Sequence, residues 1–291
     1  MNIEKEQIVN LVVNTLFYLC VVGISWIISS VFLFSSFKIP SESMSPELVA
    51  GDNVLVCKPI IGARLFDVFA SMRGEKPSIY RLFGMNAVKH NDVLVFNFPY
   101  PRGWDKMEMH IMQYYIKRCV GLPGDTLSIV NGLYQVSGSE QALGNLESQA
   151  NLRTKKSEFI EEEVFNTFPF DSIMSWNIKD FGPLYIPKQG DVVSMNRETF
   201  ALYRKLIEWE QQTVLHYVDS AVYLGQEWIT EYCFKKNYYF MAGDKVDDSQ
   251  DSRYWGLLPE EYIVGKAWII WKSVDPYVGK FKWERFLKKI N

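Results

Sequence analysis

Residues Gln7 to Phe37 form a run of thirty-one uncharged positions that ends at Lys38, and no later stretch is comparably long and apolar. A bilayer-spanning helix needs about 20 apolar residues, so part of Leu11 to Phe34 suffices even with Asn14 and Ser25 inside it. A cleavable signal peptide has an apolar core of only about 7 to 15 residues. The pattern predicts an N-terminal tail over 1–10 and one retained transmembrane anchor over 11–36. Its orientation is weakly encoded, because Lys5 and the amino terminus stand against Glu4 and Glu6, and Lys38 follows the span.

Beyond the anchor the period changes. Asn53 to Lys58, Asp92 to Phe98, Tyr114 to Val120, Tyr238 to Met241 and Ile263 to Trp271 are short, rich in β-branched and aromatic residues, and bounded by Gly, Pro, Asp or Asn. They predict an antiparallel β core over 37–130 and 235–276. Between them, 131–234 changes character and reads as an inserted α/β subdomain. Within it Phe200, Tyr203, Leu206, Ile207 and Glu210 recur at helical spacing behind Asn196, which is placed to cap a packing helix over Arg197 to Gln212. The closing 277–291 is a basic, aromatic tail, suited either to anionic lipid head groups or to a solvated helix end. The fold class is mainly β.

Composition narrows the partners. A net charge of −3 and a pI near 5.8 supply none of the basic surface that nucleic-acid binding requires. Cys20, Cys57, Cys119 and Cys233 make no C-x-x-C and no Cys/His cluster, so neither a metal site nor a disulfide framework is expected, and no cofactor fingerprint is present. The four thiols read as structural.

Chemistry first appears in Pro40-Ser-Glu-Ser-Met-Ser-Pro46, where a serine sits in a turn at the end of the anchor. Serine is a weak nucleophile until a neighbour takes its proton. His90, His110 and His216 lie beside no evident carboxylate signature, and there is no G-x-S-x-G elbow, which argues against a Ser-His-Asp triad. A lysine serves only if neutral, which requires burial to lower its pKa from about 10.4. Lys117 shares a strand face with Tyr115 and Cys119; on that pattern alone an exposed lysine is the more ordinary outcome. Leu122-Pro-Gly-Asp125 is a turn with Gly124 supplying positive φ, and Asp52 and Asp125 read as turn caps.

Ile39 to Pro46 with Gly51-Asp52, Asp92 to Phe96, Tyr115 to Asp125, and Met241 to Gly256 with Pro259 and Val264-Gly265 stand in an order that resembles the motif set of bacterial type I signal peptidases. The resemblance covers about Phe37 to Val130 and Tyr238 to Ser273. It implies the β catalytic fold of that family, with Ser43 as nucleophile and Lys117 as general base. It further implies Ser41 in the oxyanion hole with the Ser43 N–H, Ser249 orienting the lysine, Asp251 with Arg253 as a supporting ion pair, and Arg118 with Asp244 as a second. Ile39, Met44, Leu48, Tyr115 and Ile116 correspond to pocket residues, although apolar side chains here are also plain core. The implied substrates are secretory preproteins cut after Ala-x-Ala-like sites, bound extended, at the outer face of the cytoplasmic membrane. Lys245, Val246 and Asp248 depart from the family's usual residues; Lys245 and Asp248 are expected to be peripheral and solvent-facing. A peptidase with a single exported substrate, or a non-catalytic anchored homologue, remains open as an alternative.

Overall fold

The computed structural model describes residues 2–67 and 79–291. The uncharged run forms a helix, Asn2–Phe32, whose apolar span Gln7–Phe32 contains no residue buried within the protein. At 1.5 Å per residue a 26-residue span is about 39 Å long, enough to cross a hydrocarbon core of about 30 Å. The helix stops four residues short of the expected end of the anchor at residue 36. Phe34–Lys38 is instead an edge strand, paired from Phe34 opposite Cys57 to Lys38 opposite Asn53. Hydropathy misses the switch because the strand's residues are uncharged up to Phe37.

The helix end is held by the sheet. Lys58 Nζ donates to the carbonyls of Ser30 at 2.6 Å and Val31 at 3.3 Å, and the Lys58 N–H donates to Leu33 at 2.9 Å. Last-turn carbonyls lack intrahelical partners, and a cation there also interacts favourably with the negative end of the helix dipole.

One antiparallel sheet carries the fold, in the order Phe34–Lys38, Asp52–Cys57, Ile263–Ser273, Val93–Asn97, Tyr114–Gly121, Tyr238–Ala242, Leu258–Pro259. Register shifts recur along Ile263–Ser273, and such irregularities bend a strand. Alternation then feeds two cores. Leu94 and Phe96 face a large core shared with the central segment, whereas Val93 and Val95 face a smaller one with Ile39, Met44, Leu48, Val54, Val56 and Ile270.

The central segment contributes Leu133–Val136 and Phe181–Tyr185, which pair on either side of Thr126–Val130 from the preceding segment, and the helix Arg197–Gln211, whose Asn196 and Thr199 form a reciprocal capping box. Tyr203, Leu206, Ile207 and Trp209 are buried on that helix, and Glu210 accepts from the Tyr238 hydroxyl on the main sheet at 2.7 Å. Residues of 131–234 and of the main sheet thus share one core.

Residues 277–291 do not form a tail or a helix end. A short 3-10 turn, Trp283–Arg285, leads to Lys288–Lys289, which pairs with Ile269 and Ile270. Arg285 donates to both Asp52 carboxylate oxygens at 2.9 and 2.6 Å, and Ile290 is buried in the smaller core. This return is fixed by long-range contacts that no periodic pattern announces.

Candidate active site

The turn bearing Ser43 is tied down on both sides. Ser45 N–H donates to the Glu42 carbonyl, Ala50 N–H to the Glu42 carboxylate, and Gly51 N–H to Ile39. Met44 and Leu48 are buried beneath it in the smaller core. They therefore support the turn from below, while Ile39, Tyr115 and Ile116 line an open groove of about 460 Å³ together with Ser41, Ser43 and Lys117. Phe37, Pro40, Met112, Tyr114 and Gln250 also line it, none of them named as a pocket residue from sequence. The Phe37 and Tyr114 rings meet edge to face at 4.8 Å.

Lys117 lies on Tyr114–Gly121, opposite Leu94, and is 4% exposed rather than on the surface. Its Nζ is 2.6 Å from Ser43 Oγ, and Ser41 Oγ is 3.4 Å from the same atom. Burial lowers the Lys117 pKa to about 8; Asp251 opposes this and Arg253 adds to it. The Ser43 N–H donates to nothing among the described residues, while the Ser43 carbonyl accepts from Lys245 N–H at 3.1 Å.

Behind this pair the loop after Tyr238–Ala242 is buried in part, charged and tied by hydrogen bonds. Arg253 donates through Nε and Nη2 to Asp251 at 2.8 and 2.7 Å, both fully buried. Asp251 also accepts from Gly243 N–H and caps the short helix Ser252–Trp255. Burial alone would lower the Arg253 pKa, but the Asp251 carboxylate raises it on balance. Arg118 makes the same two-pronged contact with Asp244 at 2.7 and 2.6 Å, and its third nitrogen donates to Asn91 and Asn291 carbonyls.

Ser249 is buried, and its Oγ has no hydrogen-bond partner among the described residues, Lys117 included. It sits so close to Gly243 that a Cβ there would be 2.0 Å from Ser249 Oγ and 2.7 Å from the Ser43 carbonyl oxygen. Glycine is required at 243 by this approach alone. Lys245 and Asp248 pair with each other at 2.7 Å at the surface, whereas Val246 is buried. One histidine does have a carboxylate: His90 Nε2 is 2.7 Å from Asp125, which also caps its turn through Leu122 N–H. No serine hydroxyl bonds to His90 among the described residues.

A buried amine on a hydroxyl, with donors nearby and an apolar groove alongside, is an arrangement suited to acyl transfer. The family model described as "Signal peptidase, peptidase S26" matches residues 8–272. Signal peptidase I of Buchnera aphidicola subsp. Acyrthosiphon pisum is 30% identical over 254 residues, covering 84% of this chain and 70% of that protein. The Pseudomonas aeruginosa enzyme of the same name is 30% identical over 257 residues, covering 83% and 66%. That of Haemophilus influenzae is 28% identical over 286 residues, covering 89% and 70%. A signal peptidase I structure from Enterococcus faecalis V583 aligns with a TM-score of 0.30 and 17% identity, over 63% of this chain and 98% of that one, a likeness too slight to argue from. On the family match, which spans most of its length, the chain belongs to the signal peptidase I family of S26 peptidases.

Proposed function

We propose that this chain is a membrane-anchored serine endopeptidase that removes signal peptides from secreted preproteins after small residues, using Ser43 and Lys117. The observation that carries the reading is the 2.6 Å approach of Lys117 Nζ to Ser43 Oγ, with the lysine buried and its pKa lowered to about 8. Neutral Lys117 takes the Ser43 proton as Oγ attacks the scissile carbonyl. The developing oxyanion accepts from the Ser43 N–H and the Ser41 hydroxyl. Lys117 then returns its proton to the departing amine of the mature chain, leaving the signal peptide esterified to Ser43. In the second half Lys117 deprotonates water, which hydrolyses the ester.

The other residues act through this pair. Asp251 and Arg253 fix the loop that carries Ser249 and Gly243 against Ser43, and Arg118 with Asp244 fixes the far side of the strand. Substrate enters extended along the groove, small side chains facing Ile39, Tyr115 and Ile116. The anchor spans the cytoplasmic membrane once, with the catalytic part on its outer side, where lipid and preprotein meet it.

The test is cleavage of a preprotein by the full chain in detergent, against Ser43→Ala and Lys117→Ala. Full rate in folded Lys117→Ala would overturn the reading.

A further inference from the structure

A polypeptide cut in its interior must occupy space on both sides of the nucleophile, and the reading above assigns the groove beside Ser43 to the small side chains that precede the bond. A second cavity of about 330 Å³ adjoins it. Gln250 lines both, and the Tyr115 hydroxyl donates to Gln250 at 3.4 Å, so this residue forms the partition between them. Ser249, whose buried Oγ is unpartnered, belongs to the wall of the second cavity and packs through Gly243 onto the Ser43 carbonyl. The cavity therefore begins within a few atoms of the nucleophile's own backbone.

Its walls are built to hold a side chain. Tyr254 is fixed by donating its hydroxyl to the Val164 carbonyl at 2.8 Å, and Trp104 lines the same cavity. Phe170 is 58% exposed at its rim on a backbone with φ +60°, an unfavourable conformation for a bulky residue. Three carboxylates line it, and they are not equivalent. Asp247 is paired with Lys155 and Asp248 with Lys245, whereas Glu163 has neither hydrogen bond nor ion pair among the described residues. The cavity thus offers aromatic faces and one uncompensated negative charge.

We propose that this second cavity receives the first residues of the mature polypeptide and favours a lysine or arginine side chain among them, with Glu163 as the residue that sets the preference. The inference rests on the peptidase reading above. The aliphatic stem of such a side chain lies on Trp104 and Tyr254 while its cationic end reaches Glu163. This gives the central segment, which supplies Glu163, Val164 and Phe170, a part in selecting substrates.

The experiment uses the full chain in detergent micelles and peptides with one constant Ala-x-Ala signal side. The four positions after the scissile bond carry Lys, Gln or Glu in turn. Wild type should cleave the Lys peptide over the Glu peptide with about fivefold higher kcat/KM at one or more positions. Glu163→Gln should level that preference, and Glu163→Lys should invert it, while the Gln peptides are cut at wild-type rate. A wild type indifferent to charge at all four positions, or Glu163 variants that keep the wild-type preference, would overturn the subsite and leave the peptidase reading standing. Failure of the wild type to cleave any peptide would end both.

Discussion

Lys117 and Arg118 are neighbours on one strand, both buried, and their electrostatics are opposite. Arg118 meets a carboxylate with two nitrogens and backbone carbonyls with the third, so its charge is compensated. Burial works to lower its pKa, yet Asp244 raises it on balance. Among the described residues the Lys117 amine has one hydrogen-bond partner, the Ser43 hydroxyl, with the Tyr115 ring centroid 5.9 Å away and no ion pair, and burial dominates, bringing its pKa to about 8. Burial with a counter-charge makes a structural tie, and burial without one makes a base. Arg253 with Asp251 repeats the first case, with both side chains shut off from solvent.

The contrast can be broken most severely at the base. Lys117→Ala and Ser43→Ala should each lower single-turnover cleavage by about 10⁴-fold. Lys117→Arg should be equally inactive, since a guanidinium does not deprotonate near neutral pH; substantial activity in that variant would remove Lys117 from the base role. Next comes the tie. Asp251→Ala leaves Arg253 buried and unpaired and should cost about 3–5 kcal/mol in denaturant unfolding.

Third, Lys117→Met should raise stability at pH 7 by on the order of 2 kcal/mol while abolishing cleavage, because it removes the cost of burying an unpaired ammonium. The sign comes from linkage. Between the folded pKa of about 8 and the unfolded value of 10.5 the unfolded chain binds more protons, so wild-type stability rises with pH there. The advantage of Lys117→Met should shrink across that window, and unfolding curves at pH 7 and pH 10 test it. Fourth, kcat/KM should rise about tenfold per pH unit below pH 8 and level off above it, as the neutral amine becomes available. A profile flat from pH 6 to 9 would mean that no such titration limits the reaction. Smallest, Lys245→Ala removes a surface pair with Asp248 and should change stability by less than about 1 kcal/mol and leave the rate unchanged.

Much of the main sheet was legible because its strands are half-buried or wholly buried and flanked by turn residues. Asp52–Cys57 alternates as the pattern demands, and the helix Arg197–Gln211 begins at the expected cap. The inward fate of Lys117 was not legible from alternation, since Tyr114–Gly121 passes from an exposed end to five consecutive buried residues. That burial comes from the curl of the sheet and from the loop carrying Asp251, and neither is a local property. Met44 and Leu48 show the same limit. An apolar residue beside a nucleophile can line a pocket or support a turn, and only the packing against Val54 and Val95 distinguishes the two. Motif order brought Ser43, Lys117, Ser249, Asp251 and Arg253 into view as a set, but Gln250 and Tyr114 carry no chemical signature and entered through shape.

The grip of Lys58 on the last carbonyls of the apolar helix has a geometrical consequence. Helix and sheet are joined as a fitting, with no slack linker between them, so the height and bearing of the groove relative to the helix axis are set like the jaw of a gauge. Each residue added to a helix rotates the chain beyond it by about 100° and lifts it by about 1.5 Å. One residue inserted between Phe32 and Phe34 would therefore swing the groove to another side of the anchor, leaving every catalytic distance intact while presenting the site to the wrong part of its surroundings.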